Sequence, residues 1–190
     1  AILDVAAARF LRDGYAATSI EAVAREAQVA KRTFYARFPD KAALFRAVVE
    51  RLIAAWRTAS EPALAPSGDI GAALERAGRT ILDVALSPAA LGLRRLIFAE
   101  SARFPELVEA LQQAGADGGA QRIAALLAPR DPTTAEALFG ARQFMAMLLS
   151  EPLNRATISG TFPSAEQRDA WVAQTARLFL HGWLAAQRAG

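Results

Sequence analysis

The chain has 190 residues and a mass of 20.3 kDa, enough for one large domain or two small ones with a sizeable buried core. Hydrophobic residues make up 53% and charged residues 22%, which is typical of a packed globular protein and excludes a disordered chain. The absence of cysteine excludes thiolate chemistry and disulfides, and it favours a reducing compartment, the cytoplasm. No apolar run approaches the roughly 18 residues of a membrane span, so we expect neither a membrane segment nor a signal peptide.

Alanine accounts for 46 of the 190 residues and proline for only nine, a composition that favours helix almost throughout. The positive charge lies at the front of the chain. Residues 1–57 carry ten basic and six acidic residues, a net charge of +4, whereas the remainder carries twelve basic and thirteen acidic residues, a net charge of −1. The front is therefore the part that we expect to meet a polyanion.

The sequence pattern of residues 1–57 predicts four helices. Gly14 ends the first, and a Thr-x-x-Glu capping box over Thr18–Glu21 begins the second. Gln28 breaks the apolar pattern of the second helix after about ten residues at most, so two short helices joined by a tight turn result. The first, third and fourth helices are predicted over 1–13, 31–38 and 40–57. Ala1 already falls in a helical pattern and is not methionine, which is compatible with a short preceding arm.

Two prolines and a glycine within Ser60–Asp69 mark the one clear linker, which separates the front of the chain from the back. Behind it, each helical segment begins at a recognisable start signal, commonly a proline beside serine or threonine. The glycines between 115 and 119, Pro152 and Gly160 are positions where a helix could kink or break. The helices predicted after the linker span 70–86, 88–102, 105–127, 133–158 and 164–188.

The second and third predicted helices have the charge and spacing of a helix-turn-helix, whose second helix enters the major groove of DNA. Lysine and arginine can donate to guanine, and Thr33 can contact a base edge or a phosphate. We expect phosphate contacts from the start of the second helix, from the Tyr35 hydroxyl and from Lys41. The predicted DNA-binding residues are Thr18, Ser19, Lys31, Arg32, Thr33, Tyr35, Arg37 and Lys41. The alternative is that the cations only solvate one face of a small helical subdomain.

Residues 1 to about 52 resemble the N-terminal helix-turn-helix of tetracycline-repressor-type (TetR family) transcriptional regulators. The resemblance rests on the pattern Phe-Tyr-x-x-Phe-x-x-Lys-x-x-Leu from Phe34 to Leu44, together with Gly14-Tyr15 and Thr18-Ser19. Two positions depart from the family pattern, because glycine is usual where Gln28 stands and a serine cap where Ala30 stands. Gln28 must then adopt a conformation that glycine takes more easily, and Ala30 cannot cap, at a cost on the order of 1 kcal/mol.

The stretch Leu96–Leu107 resembles one C-terminal subgroup of the same regulators. This resemblance implies an all-helical regulatory domain that dimerises and binds a small effector. The expected fold is therefore all-α and homodimeric, with a three-helix, helix-turn-helix DNA-binding domain over 1–52 and a helical-bundle effector-binding and dimerisation domain over 53–190.

The apolar segments 134–149 and 166–186 carry more apolar surface than helices packed on one side can bury. The family resemblance implies that they form a four-helix interface between two copies, and the alternative is a fully buried pair inside a monomer. A few polar groups set among apolar neighbours are typical of an effector pocket. The predicted effector-binding residues are Arg94, Phe98, Arg103, Phe139, Gln143, Phe144 and Met147.

The sequence contains none of the common motifs of enzyme active sites. The single histidine, His181, lies in an apolar helix without a carboxylate at ligand spacing, which is typical of a core or interface residue. No metal-ligand pair, nucleophile motif or phosphate-binding glycine loop occurs, so we predict no catalytic residue, metal or cofactor. The sequence predicts a repressor that binds a palindromic operator in double-stranded DNA and is released by a small, largely apolar effector. The rival interpretation is a helical small-molecule-binding module or enzyme with a vestigial helix-turn-helix.

Overall fold

The computed structural model describes residues 1–59 and 69–189. These residues form nine α-helices and contain no β-strand, which confirms the all-α prediction. The predicted linker lies outside the described residues, apart from Asp69. The helices are α1 (Ile2–Ala17), α2 (Ile20–Glu26), α3 (Lys31–Arg37), α4 (Lys41–Ala59), α5 (Ile70–Ala85), α6 (Pro88–Ala99), α7 (Pro105–Leu127), α8 (Ala135–Ile158) and α9 (Ala165–Ala189).

Glycine and proline affect these helices unequally. Gly14, at φ 80° and ψ 173°, interrupts α1 where the sequence predicts its end, because this conformation excludes side chains with a Cβ. Gly160, at φ 65°, follows the end of α8. By contrast, α7 continues through residues 115–119 and α8 continues through Pro152, so neither position ends a helix.

Pro152 is tolerated inside α8 because the carbonyl that it leaves without a partner finds another donor. Proline has no N–H, so the carbonyl of Leu148, four residues earlier, loses its helical hydrogen bond. The indole Nε1 of Trp171 in α9 donates to that oxygen at 2.9 Å. Because Pro152 leaves the carbonyl of Leu148 free, that carbonyl can accept a hydrogen bond that joins α9 to α8.

The chain packs as two compact units. The first unit comprises residues 1–55 and 92–112, and the second comprises 56–91 and 113–190. The segment 92–112, which holds the end of α6 and the start of α7, thus packs in the same unit as the helix-turn-helix. The functional division predicted at residue 52 stays a prediction, because a packing unit and a functional domain need not share a boundary.

Four aromatic rings form the centre of the first unit. Phe10 and Tyr15 come from α1, Phe45 comes from α4, and Phe104 precedes α7, with ring centroids in contact at 4.9–6.0 Å. All four side chains are buried, none of them more than 4% exposed. Three of the five ring pairs are edge-to-face, an arrangement that stabilises a core beyond the area that it buries. The cluster joins the segment 92–112 to α1 and α4.

The second unit is a bundle in which α5, α8 and α9 pack closely. Phe144 of α8 and Phe179 of α9 meet in its core at a centroid distance of 5.4 Å. Gly140 of α8 permits the close approach of α9, since the ring of Trp183 occupies the space that a Cβ would need. A larger residue at position 140 would force the two helices apart.

The hydrogen bond from Trp171 to Leu148 can be tested by substitution. Trp171→Phe removes the indole donor, and we expect the free energy of unfolding in urea to fall by about 1–3 kcal/mol. Pro152→Ala supplies a backbone N–H to the same carbonyl, so Trp171→Phe should destabilise the Pro152→Ala variant less than the wild type. Equal losses in the two backgrounds of this double-mutant cycle would contradict the assignment.

Candidate nucleic-acid interface

Two seven-residue helices, α2 and α3, form the motif predicted to contact DNA. Ser19 is the N-cap of α2, and its hydroxyl oxygen accepts a hydrogen bond from the backbone N–H of Ala22 at 3.1 Å. Gln28 in the turn has φ 55°, so the glycine-like conformation expected of it is confirmed. Ala30 makes no side-chain cap to α3, also as expected.

The surface of α3 is cationic. Only Phe34 of this helix is buried, and Lys31, Arg32, Thr33, Tyr35 and Arg37 are exposed. None of the three cations forms an ion pair with any residue that the structure describes. The helix therefore presents unpaired donors at the positions predicted to read bases.

Thr18, one of the residues predicted to contact phosphate, has a side chain that lies inside the protein. Its side chain is 1% exposed, and its hydroxyl donates to the carbonyl of Gly14 at 2.8 Å. A buried hydroxyl cannot reach a phosphate without local unfolding. The neighbouring Ser19 is exposed and uses its oxygen as an acceptor, so its hydroxyl hydrogen stays available to a phosphate.

Lys41 is also engaged within the protein. Its Nζ donates to the carbonyls of Tyr15 at 2.9 Å, Ala16 at 3.1 Å and Thr18 at 2.9 Å. It also lies 4.5 Å from the centroid of the Tyr15 ring. All three ammonium hydrogens are therefore used, which favours a structural role at the junction of α1 and α2 over the expected phosphate contact.

Two further ion pairs position the helices of the first unit. Arg9 of α1 donates from Nε at 2.8 Å and from Nη2 at 2.6 Å to the carboxylate of Glu26, at the end of α2. Arg46 of α4 donates to Glu106 of α7 at 2.8 Å, and this hydrogen bond lowers the pKa of the Glu106 carboxyl. The sequence does not predict this ion pair, because Arg46 and Glu106 lie 60 positions apart in the chain and leave no local pattern.

The predicted effector residues divide between the two units. Arg94, Phe98 and Arg103 belong to the first unit, and the predicted α8 residues belong to the second. The guanidinium of Arg94 lies 4.7 Å from the centroid of the Phe98 ring. Arg103 instead lies over Tyr15, with its Cζ 4.9 Å from that ring centroid.

The α8 residues differ in their surroundings. Phe144 is 0% exposed and forms part of the core, so an effector could touch it only by displacing Phe179 and its neighbours. Gln143 is exposed, Met147 is half-buried, and Phe139 is 63% exposed. A cleft of about 180 Å³ in this unit lies beside Pro152 and Trp171 and includes none of the predicted effector residues.

The described residues contain neither a metal-binding cluster nor a membrane-spanning helix. Within 1–59 and 69–189, no three His, Asp or Glu side chains cluster as a metal ion would require. Every helix in these ranges is too short or too polar to cross a lipid bilayer.

A turn between two short helices, the second with unpaired cations, defines a DNA-binding protein of the helix-turn-helix class. Residues 2–48 match the sequence profile of bacterial regulatory proteins of the tetR family. Residues 72–183 match the profile of the AefR-like transcriptional repressor C-terminal domain. The chain belongs to the TetR family and is a DNA-binding transcriptional regulator.

Solved structures of similar proteins agree with this assignment. A putative TetR-family regulator from Mesorhizobium loti is 26% identical, with a TM-score of 0.81 over 95% of this chain and 93% of that one. The flavonoid-responsive regulator FrrA is also 26% identical, with a TM-score of 0.76 over 95% of this chain and 94% of its own. A family member from Pseudomonas syringae pv. tomato, 20% identical over 95% and 93% of the chains, shares the fold at a TM-score of 0.71. Curated protein sequences give no match to the chain.

The two lysines of the chain should have separable effects on stability. Lys41→Met keeps the aliphatic stem but removes the ammonium group from three carbonyls, and we expect a loss of about 2 kcal/mol or more in unfolding free energy. The matched control, Lys31→Met, removes an exposed and unpaired charge and should stay within about 0.5 kcal/mol of wild type. Similar stabilities of the two variants in urea unfolding would contradict the structural role of Lys41.

Gln28 allows a second test of the turn. Gln28→Gly should raise the free energy of unfolding by about 0.5–1 kcal/mol, because glycine adopts positive φ without steric cost. Gln28→Ala is the matched control, since it removes the same side chain but retains the Cβ. Thermal unfolding that shows equal gains for both variants would assign the effect to the side chain and contradict backbone strain.

Proposed function

We propose that this TetR-family regulator is a repressor that binds a palindromic operator as a homodimer and is released by a small, largely apolar effector. The unpaired cationic surface of α3 is the observation that supports operator recognition best. Because its target is chromosomal DNA, the protein acts in the bacterial cytoplasm. Release by the effector is a population shift between a DNA-binding and a non-binding dimer.

Base contacts come from the first turn of α3. Lys31, Arg32 and Thr33 occupy that turn, which points into the major groove in helix-turn-helix complexes. Tyr35, Arg37 and Ser19 contact the phosphates, since all three are exposed on or beside the two short helices. Thr18 and Lys41 act as positioning residues that fix the backbone before α2.

A second copy covers the exposed face of α8 and α9. Phe139 is 63%, Leu178 68% and Leu184 44% exposed, and a second copy would remove these large apolar side chains from water. Gly182 of α9 has no neighbouring atom within 4 Å of the position that a Cβ would take, which permits close approach of a partner helix. A dimer also places two α3 helices at the roughly 34 Å separation of successive major grooves.

The segment 92–112 transmits the effector signal to α4. Phe104 packs between Tyr15 and Phe45 in the aromatic cluster, and Glu106 is paired with Arg46 of α4. A shift of this segment would therefore move α1 and α4, the helices that position α2 and α3. FrrA is named as flavonoid-responsive, and flavonoids are aromatic, which supports an effector with an apolar body here.

Operator recognition is tested with DNA fragments selected from the genome that encodes the protein. We expect Lys31→Ala and Arg32→Ala each to weaken binding to the selected operator by about 1–3 kcal/mol and to relax base preference. Arg130→Ala removes an exposed cation from the α7–α8 connection and serves as the control for net charge. Titrations at several salt concentrations separate base contacts from phosphate contacts. An unchanged sequence preference in both α3 variants would contradict the proposed docking, and a wild type that selects no DNA would favour the rival binding-module interpretation.

The dimer is tested by light scattering at micromolar concentration. The wild type should have about twice the monomer mass of 20.3 kDa, and Leu178→Arg should shift it to the monomer because a charge cannot be buried unpaired. Ala125→Arg introduces the same charge at an exposed position of α7 and should leave the dimer intact. A monomeric wild type would contradict the proposed interface.

A further inference from the structure

Arg94 of α6 carries a partly buried charge without an acceptor. Its Nε is buried, and no residue that the structure describes accepts a hydrogen bond from it. Burial lowers the pKa of the Arg94 guanidinium, and no neighbouring acid opposes that effect. Burial of an N–H group without an acceptor is costly, so proteins rarely retain one without a reason.

The surroundings of Arg94 distinguish it from the other arginines. Partly buried Arg9 and Arg168 each donate to a carboxylate, and exposed unpaired arginines such as Arg32 remain hydrated. The guanidinium of Arg94 lies instead over the ring of Phe98, one helical turn further along α6, at 4.7 Å. Its two Nη atoms are neither buried nor hydrogen-bonded to described residues, so they stay reachable from solvent.

A partly buried guanidinium whose terminal N–H groups have no acceptor is suited to bind a carboxylate. Its planar pair of terminal N–H groups matches the two oxygens of a carboxylate. Partial burial strengthens the attraction between opposite charges because fewer water dipoles screen it. Phe98 is 39% exposed, so the same site also offers an apolar surface to the body of the ligand.

We propose that Arg94 and Phe98 bind a small organic carboxylate, with its oxygens on the guanidinium and its apolar body against the ring. This inference rests on the proposed function, and it specifies that the largely apolar effector carries one acidic group. Both residues lie in the compact unit that contains the helix-turn-helix and in the segment 92–112 that also holds Phe104 and Glu106. Ligand binding at Arg94 would therefore act directly on the segment that contacts α1 and α4.

The experiment compares carboxylates with their neutral amides on the full chain by calorimetry at pH 7. The probes are benzoate, phenylacetate and hexanoate, with benzamide, phenylacetamide and hexanamide as isosteric controls. We expect at least one carboxylate to bind, its amide to bind roughly tenfold or more weakly, and Arg94→Met to weaken the carboxylate roughly 10- to 100-fold. Arg95→Met changes the adjacent exposed arginine of α6 and should leave binding unchanged. The proposal is overturned if no carboxylate binds the wild type, or if binding survives Arg94→Met.

A second measurement needs no ligand. Arg94→Met replaces a partly buried charge that has no acceptor among the described residues with an apolar side chain of similar length, and it also removes the contact with the Phe98 ring, as Phe98→Leu does. The melting temperature of Arg94→Met should therefore be no lower than that of Phe98→Leu. A clearly lower value would show that the guanidinium has a further partner, and it would overturn the proposal. Operator binding by the ligand-free wild type is measured separately, so a failure of the repressor assignment is distinguishable from a failure of the carboxylate site.

Discussion

The ammonium group of Lys41 joins the start of α4 to the backbone between α1 and α2, on which the helix-turn-helix is built. Gly14 interrupts α1 and leaves the following carbonyls without helical partners, and Lys41 at the start of α4 takes that role by donating to three of them. Thr18 satisfies the carbonyl of Gly14 itself. The backbone that leads to Ser19 is thereby held by Lys41 and by Thr18. Together with the ion pair between Arg9 and Glu26, these hydrogen bonds position α2.

Charge is used in two different ways in the first unit. Arginines that join helices, such as Arg9 and Arg46, each donate to a carboxylate on another helix. The cations of α3 have no such partner among the described residues, and no acid lies on that helix. Because its cations have no carboxylate partner among the described residues, the surface of α3 is available to a polyanion.

Much of this could be predicted from the sequence because its signals are local. The break at Gly14, the strained turn at Gln28 and the missing cap at Ala30 each follow from one residue and its neighbours. The partners of Lys41 could not be predicted, since an ammonium group binds phosphate and backbone carbonyls by the same chemistry. Contacts between distant residues, such as Arg46 with Glu106, leave no periodicity to read. For the same reason the predicted effector residues combined two packing units and included Phe144 of the core.

The membership of segment 92–112 in the first unit bears on how such regulators can be recombined. A chimera cut after residue 52 would carry Tyr15 and Phe45 but leave behind Phe104, which completes their aromatic cluster. It would also separate Arg46 from Glu106. The transferable module is therefore discontinuous. To accept this DNA-binding domain, another regulator would need an aromatic residue just before its own equivalent of α7, in the place of Phe104, and an acid in the first turn of that helix, in the place of Glu106.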